Sequence, residues 1–350
     1  MSYLRPVIDQ LNAYEPGEQP PLSSDVIKLN TNENPYLPSN TAMKALKMVD
    51  PDRLRRYPQP LADEFRQSAA RVLKVDPEWI LVGNGSDDLL TMLFRSMADT
   101  ERSVAYPVPT YVLYRTLAEI QGAPVVEVPF DDDYTLPVDT LARAGASLTL
   151  VANPNSPSGT RAPNTALAEL AARVPGVLAI DEAYVAFAAE TALALVQRFP
   201  NVIILRTLSK SHSLAGLRLG FAIAQPALLD GLAKVKDSYN VDVVAALVGA
   251  AAILDTEHTL ATVERIRRSR ARLSAALGAL GFRVWPSEAN FLLIRPADGN
   301  AKGLYGFLKT NGILVRYFQT PPLNDKLRIT VGTDRQNDRL IAAISAHGLQ

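Results

Sequence analysis

The stretch "VIILRTLSKSHSLAGLRLG", residues 202–220, decides the fold prediction. Its first four residues are uninterrupted apolar side chains, which predict a strand that is buried on both faces. Lys210 follows that strand within a run of small hydroxylated and aliphatic residues. We therefore expect its amine to face a cavity, although this position alone is also compatible with a solvated lysine.

The same pattern, a short apolar run followed by a polar or glycine- and proline-rich turn, recurs from about residue 80. It predicts strands at 80–82, 104–106, 148–152, 177–180 and 202–205. Strands that alternate with helical patterns are typical of an α/β fold with a mostly parallel central sheet flanked by helices. In such sheets ligands bind outside the carboxyl ends of the strands, where the unusual polar clusters of this chain lie.

The pattern changes after about residue 255, where apolar residues three and four positions apart predict a long amphipathic helix over 259–280. Short strands and helices follow, as expected of a smaller α+β domain. We predict three parts: an N-terminal arm that also contributes to the small domain (1–29), a large domain (30–254) and a small C-terminal domain (255–350).

Composition excludes several classes of function. The 36 Lys and Arg residues balance the 36 Asp and Glu residues, which argues against nucleic acid or an anionic membrane as the main partner. The absence of cysteine excludes disulfides and thiolate sites, and three scattered histidines predict no metal centre. With no signal-peptide pattern, and a longest apolar stretch of 12 residues at 243–254, we expect a cytoplasmic protein.

Three polar clusters accompany Lys210. "GNGSDDLL" (83–90) is a glycine-rich turn that opens a helix, which suits a phosphate, although many such turns only cap helices. Asp181 ends an apolar strand, where a carboxylate is either a buried partner for a cation or a helix N-cap. Tyr184 lies one helical turn further along the chain. "NPNSPSG" (153–159) is a rigid turn. A phosphate cradle, a carboxylate, a tyrosine and a nucleophilic lysine together are what pyridoxal phosphate requires.

The chain also resembles a known family over almost its whole length. It is similar to pyridoxal-phosphate enzymes of the aspartate aminotransferase fold (fold type I), and specifically to the histidinol-phosphate aminotransferase family. The matching motifs are "YEPG" at 14, "NENPY" at 32, "RYP" at 56, "GNGSDDLL" at 83, "PTY" at 109, "NPNSPSG" at 153, "DEAYVAF" at 181, "TLSKSHSLAGLRLG" at 207, "NFLLIR" at 290, "VRYF" at 315 and "LRITVG" at 327.

The resemblance implies that the large domain binds the cofactor through matching positions. Lys210 would form the covalent link and move the proton, Asp181 would pair with the pyridine nitrogen, and Tyr184 would donate to the ring 3-oxygen. The remaining implied cofactor contacts are Gly85, Ser86, Asp87, Thr207, Ser209 and Arg218 around the phosphate and Tyr111 stacked on the ring. Tyr57 would reach the phosphate of a neighbouring subunit, which implies a homodimer with shared active sites.

On the substrate side, the resemblance assigns the substrate anion to Arg328, with Arg316 as a second clamp and Tyr14 and Asn32 nearby. One position departs from the family pattern: Ser156 stands where asparagine commonly contacts the 3-oxygen. We expect Asn155 or Ser156 to take over that contact. His212 also departs from the pattern, and we expect it to be a surface residue or to lie behind the site.

The activity that the resemblance implies is transamination between L-histidinol phosphate and 2-oxoglutarate in histidine biosynthesis. An aromatic amino-acid aminotransferase and a threonine-phosphate decarboxylase are alternatives, because they share the scaffold and differ only in the substrate pocket. A regulator without turnover is disfavoured, because the motifs begin by Tyr14 and leave no room for a DNA-reading domain. A nicotinamide dehydrogenase would give Lys210 no role.

Overall fold

The computed structural model describes residues 3–11, 17–21 and 24–347. Within them, strands and helices alternate along most of the chain. The helices are α1 (Pro6–Gln10), α2 (Asn40–Lys47), α3 (Pro51–Leu54), α4 (Asp63–Leu73), α5 (Ser86–Met97), α6 (Leu113–Gln121), α7 (Val138–Arg143), α8 (Asn164–Arg173), α9 (Leu195–Arg198), α10 (Pro226–Ala233), α11 (Val243–Leu254), α12 (Thr256–Ala279), α13 (Ala301–Thr310) and α14 (Asp334–His347).

The strands form three sheets. They are β1 (Ile27–Lys28), β2 (Ile80–Gly83), β3 (Val104–Val108), β4 (Val125–Pro129), β5 (Leu148–Ala152), β6 (Val177–Asp181), β7 (Val202–Thr207), β8 (Gly220–Ile223), β9 (Arg283–Val284), β10 (Phe291–Arg295), β11 (Ile313–Leu314), β12 (Arg316–Tyr317) and β13 (Leu327–Thr330). The large sheet has the order β2-β8-β7-β6-β5-β3-β4. The small one has the order β12-β13-β10-β9, and β1 pairs with β11.

The large sheet confirms the α/β prediction. Strands β3 to β7 pair in parallel, and β8 runs antiparallel to both of its neighbours, β7 and β2. All five predicted strands are present, whereas β4 and β8 were not predicted. Because β2 runs in the same direction as the parallel strands, the carboxyl ends of β2, β3, β5, β6 and β7 lie at one edge of the sheet, where ligands bind in such folds.

Both faces of this sheet are covered. Along β7 the side chains alternate, since Val202 and Ile204 belong to the core on one face and Ile203 and Leu205 to the core on the other. All four are fully buried. This two-sided burial explains why the strand that precedes Lys210 reads as a continuous apolar run.

The C-terminal part forms a separate core. Residues of α12, α13 and α14 pack on the small antiparallel sheet, and Ile27 and Leu29 from the N-terminal side belong to the same cluster. The long helix predicted at 259–280 is α12 (Thr256–Ala279). The domain boundaries at 29/30 and 254/255 stay a prediction.

Helix α11 carries the longest apolar stretch of the chain. The side chain of Asp242 caps its first turn by accepting from the Ala245 amide, and Asp255 caps α12 in the same way. In the described part of the chain no single helix has the length and apolarity to cross a membrane; only α11 and α12 together, bent by 75°, pass that test on length and composition.

Candidate active site

A cavity of about 330 Å³ lies at the carboxyl edge of the large sheet. Segments after β2, β3, β5, β6 and β7 form its walls together with residues 30–33 and strands of the small sheet. The predicted site residues that line it are Asn32, Ser86, Asp87, Tyr111, Ser156, Asp181, Tyr184, Thr207, Ser209, Lys210, Arg218, Arg316 and Arg328. Gly85 and Asn155 are next in sequence to the lining residues Ser86 and Ser156 but do not line the cavity themselves. Tyr57 does not line it either, and Tyr14 lies outside the described residues.

Asp181 is the last residue of β6, and its side chain is only 6% exposed. Its Oδ2 accepts a hydrogen bond from the Tyr114 hydroxyl at 2.9 Å and its Oδ1 accepts from the Ala183 amide at 3.0 Å. The pKa of this carboxyl is raised to about 6, mainly by burial; the two hydrogen bonds lower the pKa, and the nearby carboxylates of Asp87 and Glu182 contribute to raising it. A protonated ring nitrogen placed here would supply the positive partner that favours the charged form.

Tyr114 supports the site through its hydrogen bond to Asp181, and the sequence prediction missed it. Its side chain is fully buried on α6, three residues after Tyr111. Burial and the adjacent Asp181 carboxylate hold the pKa of the Tyr114 phenol well above its usual value, so the hydroxyl stays a donor. Its spacing from Tyr111 was the available signal, but a buried aromatic in a helix more often belongs to the core.

Lys210 lies three residues after β7 and reaches the cavity. Its Nζ donates to the Thr31 carbonyl at 3.3 Å and lies 5.8 Å from the centre of the Tyr184 ring. The backbone carbonyl of Lys210 accepts from Asn34 Nδ2 at 3.1 Å. The loop that carries this amine is therefore fixed by the segment 30–34 on the opposite wall.

Tyr184 and Asn32 form a direct pair. The phenol oxygen of Tyr184 accepts from Asn32 Nδ2 at 2.9 Å. Asn32 lines the cavity, where its amide nitrogen donates to Tyr184 and its amide oxygen accepts from the Thr330 hydroxyl. The substrate contact that the resemblance implies for Asn32 stays a prediction.

The start of α5 forms an anion cradle. Gly85 has the N-cap position with φ +81°, and the free backbone amides of the first turn begin at Ser86. Arg218 closes the cradle, with Nη2 3.2 Å from Asp87 Oδ2 and Nη1 3.4 Å from Ser209 Oγ. Since the Asp87 carboxylate is engaged by Arg218, only its backbone amide suits the predicted phosphate contact.

Tyr111 and Thr207 complete this end of the cavity. The Tyr111 hydroxyl donates to Asp87 Oδ1 at 3.1 Å, and its ring lies edge-on to Tyr114 with 5.7 Å between centres. The Thr207 hydroxyl lies 2.9 Å from Ser209 Oγ. One wall is therefore an aromatic face, and hydroxyl groups line the part nearest to Arg218.

Asn155 and Ser156 have different surroundings, although they are adjacent. Asn155 Oδ1 accepts from Thr110 Oγ1 at 2.8 Å, and its Nδ2 donates to the Pro109 carbonyl and to Ser158 Oγ. Its amide therefore holds the turn together, and the expected contact of Asn155 with the cofactor stays a prediction. Ser156 lines the cavity, and its Oγ accepts from Arg328 Nη1 at 3.0 Å.

Arg328 and Arg316 form the cationic end of the cavity. They are opposite each other on the antiparallel strands β13 and β12. The Arg328 guanidinium donates to the Asn30 carbonyl at 3.0 Å and lies 5.3 Å from the centre of the Phe291 ring. Like charges opposite each other on neighbouring strands repel, so a bound anion of high charge would relieve this pair.

Two predicted residues lie away from the cavity. Tyr57 is 82% exposed and stacks on Tyr239 with 4.6 Å between ring centres. His212 lies behind the site, where its Nδ1 is 2.9 Å from Ser211 Oγ and burial lowers the pKa of its imidazole to about 4. His212 is therefore neutral at pH 7 and faces a second, mostly apolar cavity.

The family model for aminotransferases of class I and II matches residues 24–344. The chain belongs to this aminotransferase family. It is 53% identical over 343 residues to histidinol-phosphate aminotransferase 1 of Trichormus variabilis, covering 98% of each chain. It is 44% identical over 342 residues to the histidinol-phosphate aminotransferase of Rhodopirellula baltica, covering 97% of this chain and 94% of that one.

The fold of the aminotransferase agrees with a solved structure. It matches the crystal structure of histidinol-phosphate aminotransferase from Sinorhizobium meliloti in complex with pyridoxal-5'-phosphate with a TM-score of 0.88. The identity is 26%, and the match covers 98% of this chain and 96% of the other.

The cavity of this aminotransferase fits pyridoxal phosphate on its own geometry. The charged groups that raise the pKa of the buried Asp181 carboxyl are two carboxylates, Asp87 and Glu182, so a cation bound beside it would be stabilised. The start of α5 with Arg218 suits a phosphate. Because the oxygen of Tyr184 already accepts from Asn32, its hydroxyl hydrogen is available to a ring oxygen.

We expect Asp181→Asn to raise the free energy of unfolding of the cofactor-free enzyme at pH 7 by on the order of 1–3 kcal/mol. The pKa of Asp181 is raised on folding, so its contribution to stability is full below the unfolded value of about 3.9 and is lost as the pH rises through about 6. The gain should therefore grow between about pH 4 and pH 6 and level off above. Urea unfolding of both proteins measures it.

The loaded enzyme provides the control, because the cofactor ring nitrogen offsets the buried charge. With pyridoxal phosphate bound, we expect the wild type to be stabilised more than Asp181→Asn. A stability difference that is the same at pH 4 and pH 7, with or without cofactor, would contradict this account of Asp181.

We expect Gly85→Ala to weaken cofactor retention by at least about tenfold, because a Cβ at this position would lie 2.6 Å from Arg218 Nη2. Gly145→Ala is the matched control. Gly145 also has a positive φ of 63°, but a Cβ there meets nothing within 4 Å. Equilibrium dialysis of pyridoxal phosphate with the variants measures the effect, and equal retention by both would refute the assignment of the cradle.

Proposed function

We propose that this chain is a pyridoxal-phosphate-dependent aminotransferase that moves the amino group of L-histidinol phosphate to 2-oxoglutarate. The products are imidazole acetol phosphate and glutamate, in a step of L-histidine biosynthesis. Full-length relatives that are 53% and 44% identical carry this activity in their names. In the structure the observation that carries the proposal is the pair Arg316 and Arg328, two cations that face each other at one end of the cavity.

The cofactor, when bound, supplies a ring that takes up the electron pair left when the bond between carbon and hydrogen next to the amine breaks. Lys210 Nζ would be the base that removes that proton and returns it, and the Thr31 carbonyl 3.3 Å away orients the amine. Asp181 would keep the ring nitrogen protonated. Tyr184 would donate a hydrogen bond from its hydroxyl to the 3-oxygen.

The substrate anion lies between Arg328 and Arg316. L-histidinol phosphate has no carboxylate, so its phosphate takes the place at Arg328, and the second guanidinium suits its double charge. Glutamate and 2-oxoglutarate place a carboxylate on the same arginine in the other half-reaction. Ser156, whose hydroxyl accepts from Arg328, adds a donor beside the anion.

The active site is shared between two copies of the chain. Tyr57 is exposed and does not line the cavity of its own chain, as a residue supplied to a neighbour requires. Large apolar side chains that precede Tyr57 in the sequence are also exposed, including Met48 at 81% and Leu54 at 58%. A two-fold dimer that buries this surface brings Tyr57 to the phosphate cradle of the partner. The cytoplasm remains the expected location.

An aromatic amino-acid aminotransferase and a threonine-phosphate decarboxylase are the alternatives with the same scaffold. A higher kcat/KM for phenylalanine than for histidinol phosphate would favour the first. Release of carbon dioxide from threonine phosphate would favour the second.

We expect Arg316→Gln to lower kcat/KM for histidinol phosphate by about 100-fold and for glutamate by less, because the phosphate needs both guanidiniums. Arg328→Gln should lower kcat/KM for both substrates. Arg295→Gln is the control. Arg295 lies on β10, the strand next to β13, does not line the cavity and pairs with Asp325. Steady-state kinetics decide, and an Arg316 variant that loses both substrates equally would contradict the phosphate assignment.

A further inference from the structure

Asn32 is held in an unusual backbone conformation between Tyr184, which follows strand β6 of the large sheet, and Thr330 on strand β13 of the small antiparallel sheet. It has a φ of +57°, in the left-handed region, and is only 1% exposed. Its backbone amide donates to Thr330 Oγ1 at 2.9 Å, and its carbonyl accepts from Asn290 Nδ2 at 2.9 Å. The Thr330 hydroxyl also donates to Asn32 Oδ1 at 3.2 Å. The small sheet therefore fixes both the backbone and the amide oxygen of this residue.

This arrangement leaves the amide nitrogen of Asn32 directed at Tyr184. Nδ2 donates to the phenol oxygen at 2.9 Å, and the Tyr184 ring packs edge-on against Phe291 with 5.0 Å between centres. The ring position and one acceptor site of the hydroxyl are thus taken. The hydroxyl hydrogen of Tyr184 is left to point into the cavity, and the received hydrogen bond polarises it and makes it a stronger donor.

We propose that Asn32 and Thr330 are positioning residues that direct the hydroxyl proton of Tyr184 to the 3-oxygen of the bound cofactor. This inference rests on the proposed function, which supplies the cofactor. Thr330 lies two residues after Arg328 on β13, so the strand that holds the substrate anion also holds the group that sets Tyr184.

The absorbance of the lysine-bound cofactor as a function of pH reports on this hydrogen bond. A hydrogen bond donated to the charged 3-oxygen favours the form of the cofactor in which the nitrogen that links it to Lys210 is unprotonated. Loss of this hydrogen bond therefore raises the pH midpoint of the absorbance change. We expect Asn32→Gly, which keeps the positive φ without strain, to raise the midpoint by about half a unit to one unit. Thr330→Val should raise it less, and Thr330→Ser should restore the wild-type value.

Thr149→Val is the matched control for the threonine variants. Thr149 is fully buried in β5, and within the described part of the chain its hydroxyl has no hydrogen-bond partner. The same loss of a buried hydroxyl should therefore leave the midpoint unchanged. A shift in Thr149→Val equal to that in Thr330→Val would show a general effect of packing and overturn the proposal.

A double-mutant cycle separates positioning from a direct role. Tyr184→Phe should itself raise the midpoint, and Asn32→Gly should add nothing in that background, because Asn32 acts only through the hydroxyl. Additive shifts, or an Asn32→Gly midpoint equal to the wild type, would overturn the inference. If the wild type formed no absorbing adduct with pyridoxal phosphate at all, the proposed function itself would fail, which is a separate result.

Discussion

The buried carboxylate of Asp181 is the constraint on which the rest of the site depends. It ends a strand that is covered on both faces, and the Tyr114 hydroxyl and one backbone amide hold it in a fixed direction. Burial destabilises the charged form of this carboxyl in the folded chain and raises its pKa to about 6. A cofactor with a basic ring nitrogen would offset this destabilisation on binding, because the protonated nitrogen and the carboxylate stabilise each other.

The segment 30–34 connects these groups across the cavity. Its contacts, in chain order, are Asn30 with Arg328, Thr31 with Lys210, Asn32 with Tyr184 and Asn34 with Lys210. The same segment is bonded to the small sheet through Thr330 and Asn290. The groups expected to bind the substrate anion and the groups expected to bind the cofactor are therefore fixed to one short piece of backbone. This arrangement fixes the positions of Arg328 and Lys210 relative to the same segment of backbone.

The sequence predicts the parts of this structure that have strong local signals. Strands such as β7 are buried on both faces and read as apolar runs, whereas β4 carries the charged Glu127 and β8 begins with a glycine, so neither was predicted. Tyr114 was missed because its partner Asp181 is 67 residues away, and the sequence shows only a tyrosine in a helix. Adjacent turn residues such as Asn155 and Ser156 differ only in which way the backbone points them, and that direction is set by contacts with Thr110 and Arg328. The motif resemblance, in contrast, identified the family, which the family model and the full-length relatives confirm.

The central claim is that the Lys210 amine forms the covalent link to pyridoxal phosphate at the carboxyl end of β7. Borohydride reduction of the loaded enzyme, followed by digestion and mass spectrometry, tests it most directly. The account predicts one labelled peptide that contains Lys210 and no label after Lys210→Ala. A label on a different lysine in the wild-type enzyme, or no label on any peptide, would contradict it.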